Sequence, residues 1–503
     1  MTGHDCTVLT GARVIDPAQN IDRVTSVAIA DGKILSVGDE PAPAGAAVID
    51  LSGHCLTPGW VDIHVHAYGT LGFADPDSIG VYQGVTSFVE AGGPGIGTLD
   101  ECVAMTRNRI VTSLYLGPYL RPLGLIGLNF IEGDPRTLGN VPIDRWIDWA
   151  AANPGLLRYV KVIALGYGNR GPLTIGKGLA EILHLPLYSH IGEFQLLNPE
   201  NPLAFEAFRV SGEGDIVTHL YHNNLGRIID ADGKVHPAVI DAERRGVLFD
   251  IGFGGYNFSW DIAEKALAQG VMPHIISSDL QQYNVLSPAI SLANVMSVFL
   301  RLGFSLPEVV ARVTANAAKA IHLEDRAGSL RPGLPADISV FRVEAGAFEL
   351  LDCFKKKRSA DRRIVPVMAF KDGRRFDCDV TRCQDERNWF MQVAEDAVPP
   401  AADRLSGAQL RFLSALAAAL ATTDWSLPSG KEISLEKATE LQDLFHRVRL
   451  EQSLPLADAL LAVYNSFLEN PFAMQIGLFL IRLDRGFAIE RLKTVASRRP
   501  LAA

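Results

Sequence analysis

Between Trp60 and about His322 the chain alternates short apolar runs with helical segments set off by Gly and Pro. The runs include GVTSFVEAGG, LLRYVKVIALG, LPLYSHIGE, GDIVTHLYH, GVLFDIGFGG and MPHIISSDL. Strands that alternate with helices build a parallel sheet. The texture before and after this region differs. Residues 6–57 read as short alternating strands, CTVLTGARVID, TSVAIADGKILSVGD and AAVIDLSGHCLTPG, with an Asp-Gly hairpin signal at Asp31-Gly32. After Leu330, RPGLPADISVFRVEAG and RIVPVMAFKDGRRF return to strands, with a second turn at Asp372-Gly373. The pattern predicts α/β architecture: a (β/α)8 TIM barrel over 58–330 and a composite small β-sandwich made of 1–57 and 331–380. Residues 395–503 place Leu and Ala at i, i+3, i+4 spacing, as in LRFLSALAAALA and ADALLAVYNSFL, and predict a C-terminal all-α domain.

Composition narrows the class. The 503 residues, 48% hydrophobic and 21% charged, suffice for a large buried core, which excludes a disordered chain or a small disulfide scaffold. The balance of 47 basic and 57 acidic residues gives −10, which argues against a dedicated nucleic-acid binder. No run approaches the ~20 apolar residues of a membrane span, and the start, MTGHDCTVLTGARVID, lacks a secretory signal pattern. The six cysteines contain no CxxC pair, as expected of reduced thiols in a cytoplasmic protein.

The chemistry begins at His64-Val65-His66, which ends the run GWVDIHVH. Alternate residues of a strand point the same way, so histidines at i and i+2 can share a metal. A bare pair fits two partly exposed polar histidines equally well. The spacing of other polar strand-end residues separates the readings: Lys161, His190, His219 and Asp279 follow at intervals of 29, 29 and 60. A ~250-residue barrel has a βα unit about every 31 residues, and 60 is two units, with GVLFDIG in the gap. Strands one, four, five, six and eight would then bring His64, His66, Lys161, His190, His219 and Asp279 to the C-terminal mouth, where barrel enzymes keep their sites. Imidazoles and a carboxylate suit one or two divalent metals such as zinc. Lysine is the odd member, since an ammonium would repel metals. Either Lys161 is a core-edge lysine, or its neutral amine has become an N6-carboxylated bridge between two cations.

The phrases PGWVDIHVH, GVTSFVEAGG, PLYSHIGE, DIVTHLYHNN, RGVLFDIGFG, ISSDL and LRPGLPADISVFR resemble the amidohydrolase superfamily, in particular its dihydroorotase-like deacetylase branch, over about residues 8–375. The resemblance implies a metal-dependent hydrolase of an amide or ester acyl bond. It implies that His64, His66 and Asp279 hold one metal, that His190 and His219 hold the other, and that carboxylated Lys161 bridges them. Asp279 would then be the general base for the bridging water. Phe253 and Gln281 stand where that branch often has histidine, which bears on the substrate rather than the metals. Tyr68, Arg170, Tyr221, Asn223, Asn257 and Tyr283, near strand ends, are candidates to line a substrate pocket, although loop packing explains any one of them as simply.

Two other readings set the contrast. One is a cyclic amide or imide hydrolase. The other is a non-catalytic binding or assembly protein acting through its helical domain, whose residues 404–497 are similar in pattern to the C-terminal domain of class I lysyl-tRNA synthetases. Arg and Lys do not outnumber Asp and Glu there, so packing or homo-oligomer contact is expected rather than tRNA binding, and the expected partner is a small-molecule substrate.

Overall fold

A computed structural model describes residues 6–73, 75–106, 110–122, 124–125, 141–164, 170–192, 203–282, 284–384, 393–394, 396–425, 435–468 and 476–499. The chain divides into two units. The first holds the sheets described below and ends at Gln384, and the second holds the helical region that follows.

Seven parallel strands of the first unit carry the apolar runs: β1 (Trp60–Val65), β2 (Val85–Glu90), β3 (Ser113–Leu116), β4 (Val160–Ile163), β5 (Leu187–His190), β6 (Ile216–Thr218) and β7 (Leu248–Phe249). Helices follow β2 to β7 in turn, for example Gly171–Ile182 after β4 and Trp260–Leu267 after β7. In β1, β2 and β4 every residue is buried. That is the pattern of a sheet covered on both faces, and it explains why the runs read as continuous rather than alternating.

Continuous ladders form two parallel sheets, in the orders β3-β2-β1 and β4-β5-β6-β7. Isolated parallel bridges join Leu116 to Leu157 and Tyr119 to Lys161, between the ends of the two sheets. Two more flank the segment 275–280, joining Asp250 to Ile275 and Val65 to Leu280. The apolar run there predicts a strand, and among the described residues the segment pairs only through such bridges. Its backbone is tied to β1 all the same, with Asp279 N donating to His64 O at 2.7 Å and His66 N to Leu280 O at 2.9 Å.

The chain on both sides of these strands pairs directly. Cys55–Pro58 lies between Arg13–Asp16 and the long strand Ile338–Leu351 in a six-stranded sheet. A four-stranded sheet of Cys6–Thr10, Val27–Ala30, Lys33–Val37 and Ala47–Asp50 packs a shared core with it: Leu9, Val27 and Ile34 from one sheet, Leu56, Ile338 and Phe370 from the other. Both Asp-Gly signals form two-residue hairpins with positive φ at both positions, Asp31 51° and Gly32 73°, Asp372 48° and Gly373 78°.

In the second unit the Leu/Ala spacing yields helices Gly407–Ala421, Leu435–Glu451, Leu456–Phe467, Ile476–Arg482 and Arg485–Ala496. Ser406 and Gln409 close a capping box on the first of these, and Phe412 packs edge-on against Phe445 at 5.5 Å. Among the described residues no helix is long and apolar enough to cross a membrane.

Candidate metal centre

Strand periodicity brings the β1 histidines to the segment 275–280. His64 Nε2, His66 Nε2 and Asp279 Oδ1 lie close together, with Asp279 Oδ1 3.5 Å from His64 Nε2 and 3.2 Å from His66 Nε2, and all three residues are buried. Lys161, from the middle of β4, extends its amine to the same spot, donating to His64 Nε2 at 2.9 Å and to Ala91 O at 2.7 Å. At the ends of β5 and β6, His190 Nδ1 and His219 Nε2 face each other at 2.8 Å, and the His219 ring is 5.2 Å from that of His64. The structure thus brings together all six residues picked out by spacing.

Burial sets their protonation. It holds the His64 and His190 imidazoles well below their usual range and takes His219 down to about 4, so these rings keep free lone pairs at neutral pH. Burial also lowers the Lys161 amine to about 8, far from an ordinary lysine. His66 goes the other way: burial pulls it down, but hydrogen bonding with Asp279 and Glu90 outweighs that. Burial pushes the Asp279 carboxyl up, and His66 more than offsets it, leaving Asp279 an anion. Three neutral imidazoles, a lysine that gives up its proton more readily than an ordinary one and a carboxylate form a donor set that fits divalent cations such as zinc.

The backbone is strained where this set is assembled. His219 (φ 71°) and Asp279 (φ 48°) both adopt the left-handed region, at ~1–2 kcal/mol each for a residue with a Cβ. Glycine makes room beside them: a Cβ on Gly254 would collide with Asp279 Oδ2.

The pocket candidates separate. Asn257 reaches the site, its Nδ2 donating to Asp279 Oδ2 at 3.3 Å. Tyr68 stands one step away: its backbone N–H donates to Glu90, whose Oε1 is 3.6 Å from His66 Nδ1, and its hydroxyl is paired with Glu101. Tyr221 belongs to the packed core instead, its hydroxyl donating to Val271 O at 2.8 Å. Arg170 is a surface residue near Glu206, at 4.0 Å, and Asn223 is exposed. Tyr283 lies outside the described residues.

Behind the six stand further residues, of which the sequence marks only Gln281, and that as a departure bearing on the substrate. Gln281 Nε2 donates to Asp279 Oδ1 at 2.9 Å, and Asn284 Nδ2 to Asp279 O at 2.8 Å. Asp62 accepts from the backbone N–H and hydroxyl of Ser278. Glu90 accepts from the backbone of Ala67, Tyr68 and Gly93. Tyr188 and Asp250 stand behind His64. The available signal was a carboxylate inside an otherwise apolar run: Asp62 in VDIHVH, Glu90 in SFVEAGG, Asp250 in LFDIGFG.

Residues 273–376 match the model of the Amidohydrolase family. The chain is 33% identical over 333 residues to a deacetylase of Agrobacterium fabrum, covering 64% of this chain and 79% of that protein. It is 31% identical over 348 residues to a deacetylase of Brucella anthropi, covering 66% and 83%. Among solved structures, that of a dihydroorotase superposes with a TM-score of 0.67 at 28% identity, covering 75% of this chain and 98% of that one.

Proposed function

This chain belongs to the amidohydrolase superfamily and is a metal-dependent hydrolase of carbon–nitrogen bonds, and we propose that it removes an acyl group from a small amide or ester with Asp279 as general base. The convergence of His64, His66, Lys161, His190, His219 and Asp279 on one buried spot carries this reading. His64, His66 and Asp279 would hold one metal, His190 and His219 a second, with Lys161 between them as its carbamate. When bound, such metals lower the pKa of water and polarise an acyl carbonyl. Zinc suits the imidazole-rich donor set.

Asp279 accepts the proton of the attacking water on its carboxylate and passes it to the leaving nitrogen or oxygen. Asn257 and Gln281 each donate to one of its oxygens and fix its plane. Their side-chain amides also stabilise the anion, which keeps the base deprotonated and ready. The depressed amine of Lys161 supports carboxylation, because only the neutral amine adds carbon dioxide. We further propose that the two parallel sheets are sectors of one (β/α)8 ring, a reading supported by the four parallel bridges between β3 and β4 and around 275–280. The likeness of 404–497 to a lysyl-tRNA synthetase domain stands as a reading of sequence pattern alone.

The test is metal analysis of the purified chain combined with a hydrolysis screen of N-acyl amino acids, acylated hydroxy acids and cyclic amides. Turnover of an acyclic acyl compound, lost on chelation and restored by zinc, is the expected result. Turnover confined to cyclic amides would favour the dihydroorotase-like alternative, which the likeness to a solved dihydroorotase keeps specific.

A further inference from the structure

Metal-binding histidines are tuned by whatever holds their other ring nitrogen. For His64 the nearer partner is a phenol, with the Thr218 hydroxyl a more distant second at 3.4 Å. Tyr188 Oη lies 2.9 Å from His64 Nδ1 and donates its own proton to Asp250 Oδ2 at 2.7 Å. With that proton committed to the carboxylate, the phenol oxygen can only accept from His64, so Nδ1 carries the ring proton and the Nε2 lone pair faces Lys161 and Asp279. Thr218 Oγ1 and Ser277 Oγ also donate to Asp250 Oδ2, at 2.6 and 2.7 Å. One carboxylate oxygen thus gathers hydroxyls from β5, β6 and the segment 275–280. The ring of Tyr188 has little freedom to leave, because the ring of Tyr159 stacks on it at 4.2 Å and 15°. All of these side chains are buried.

From this geometry we infer that Asp250 and Tyr188 are positioning residues for metal binding: the chain Asp250–Tyr188–His64 fixes the tautomer and direction of His64 and raises the basicity of its Nε2. The inference rests on the reading of His64 as a metal ligand and adds to it a carboxylate relayed through a phenol. Placing the anion one hydroxyl away keeps a second full charge out of contact with the imidazole and still polarises the Nδ1–H bond through two short hydrogen bonds.

The experiment compares two deletions of one oxygen atom each. Tyr188→Phe removes the relay hydroxyl. Tyr159→Phe removes a neighbouring buried hydroxyl that lies off the path. Each purified full-length variant, stripped of metal, is titrated with zinc alone against a chromophoric chelator, and its melting temperature is recorded. The expected result is a ~10–100-fold loss of zinc affinity at one site in Tyr188→Phe, the range seen when such outer partners are removed, with Tyr159→Phe binding zinc as the parent does at comparable thermal stability. Equal zinc affinity in Tyr188→Phe and parent would overturn the inference, and so would equal losses in both variants. If Tyr188→Phe does not fold, Asp250→Asn replaces it; it keeps the shape and removes the charge, and unchanged zinc affinity in that variant overturns the relay. Failure of the parent chain itself to bind zinc would overturn the metal-site reading, and the relay with it.

Discussion

At the β1 corner of the site each donor has a partner fixed behind it. His64 leans on Tyr188, and Asp279 is held by Asn257, Gln281 and Asn284. His66 sits beside Glu90, which is itself pinned by three backbone amides. At the β5–β6 corner, His219 Nδ1 donates to Gly252 O at 2.6 Å, and among the described residues His190 Nδ1 and His219 Nε2 otherwise meet only each other, at 2.8 Å. Two imidazole nitrogens that close compete for one proton, and both lone pairs find use only when a cation lies against them. The contrast teaches that the β1 corner is held from behind by buried carboxylates, a phenol and side-chain amides, whereas the β5–β6 corner rests on one backbone carbonyl and on ligand–ligand contact. Ordering ligands in advance lowers the cost of binding, so the β1 corner is expected to hold its metal more tightly.

Lys161 is the one donor that reaches from β4 toward both corners, so its removal has the largest expected effect. Lys161→Ala should lose most bound metal and with it measurable turnover, and added formate or acetate should restore part of both. Full activity without added carboxylate would remove the carbamate from the picture. Next in size is Asp279→Asn, for which kcat should fall by ~10²–10⁴-fold, the usual worth of a general base. Part of the metal should remain, because an amide oxygen can still ligate. A loss of only a few-fold would show that the proton goes elsewhere and that the better organised corner is not the reactive one.

Stepwise chelation sharpens the comparison directly. One equivalent of metal should leave at ~10-fold lower chelator concentration than the other. His190→Ala should abolish the weaker step and leave the tighter one, whereas two equal steps in the parent would erase the distinction between corners. The smallest effect concerns His222, buried against the β5–β6 corner, with its Nδ1 accepting from Asn224 N at 3.1 Å. Burial and the nearby His219 take it down to about 3. Between an unfolded value near 6.5 and that folded value the unfolded chain binds one more proton. Stability of the chelated protein should therefore fall as pH falls through this window, by ~1.4 kcal/mol per pH unit from this group. His222→Gln should flatten the slope of urea midpoints between pH 6.5 and 4.5, and an unchanged slope would refute this assignment.

The six donors were legible because two periodicities act on them. Period two along a strand puts His64 and His66 on one face, and the βα repeat returns the chain to the same rim, so intervals of 29, 29 and 60 residues stack Lys161, His190, His219 and Asp279. The hairpins at Asp31-Gly32 and Asp372-Gly373 were legible for a similar reason, since a two-residue turn with positive φ has few sequence solutions. Loop residues obey no such period. Arg170, Asn223 and Tyr221 all follow strand ends, yet the first two face solvent and the third points its hydroxyl at Val271.

What the sequence by itself determined, then, is most of the strand and helix order, because backbone geometry repeats and each run of residues carries its own pattern; packing decided that 275–280 pairs only through bridges and that Lys161 sits within β4 rather than at its end. Only the tertiary structure decided which buried group stands behind each donor. Tyr188 meets His64 across 124 residues, Asp250 meets Tyr188 across 62, and Ser278 meets Asp62 across 216. A carboxylate within an apolar run announces that it needs partners, but it does not name them. Those partners are whichever hydroxyls and amides neighbouring strands bring within about 3 Å once the sheets are packed.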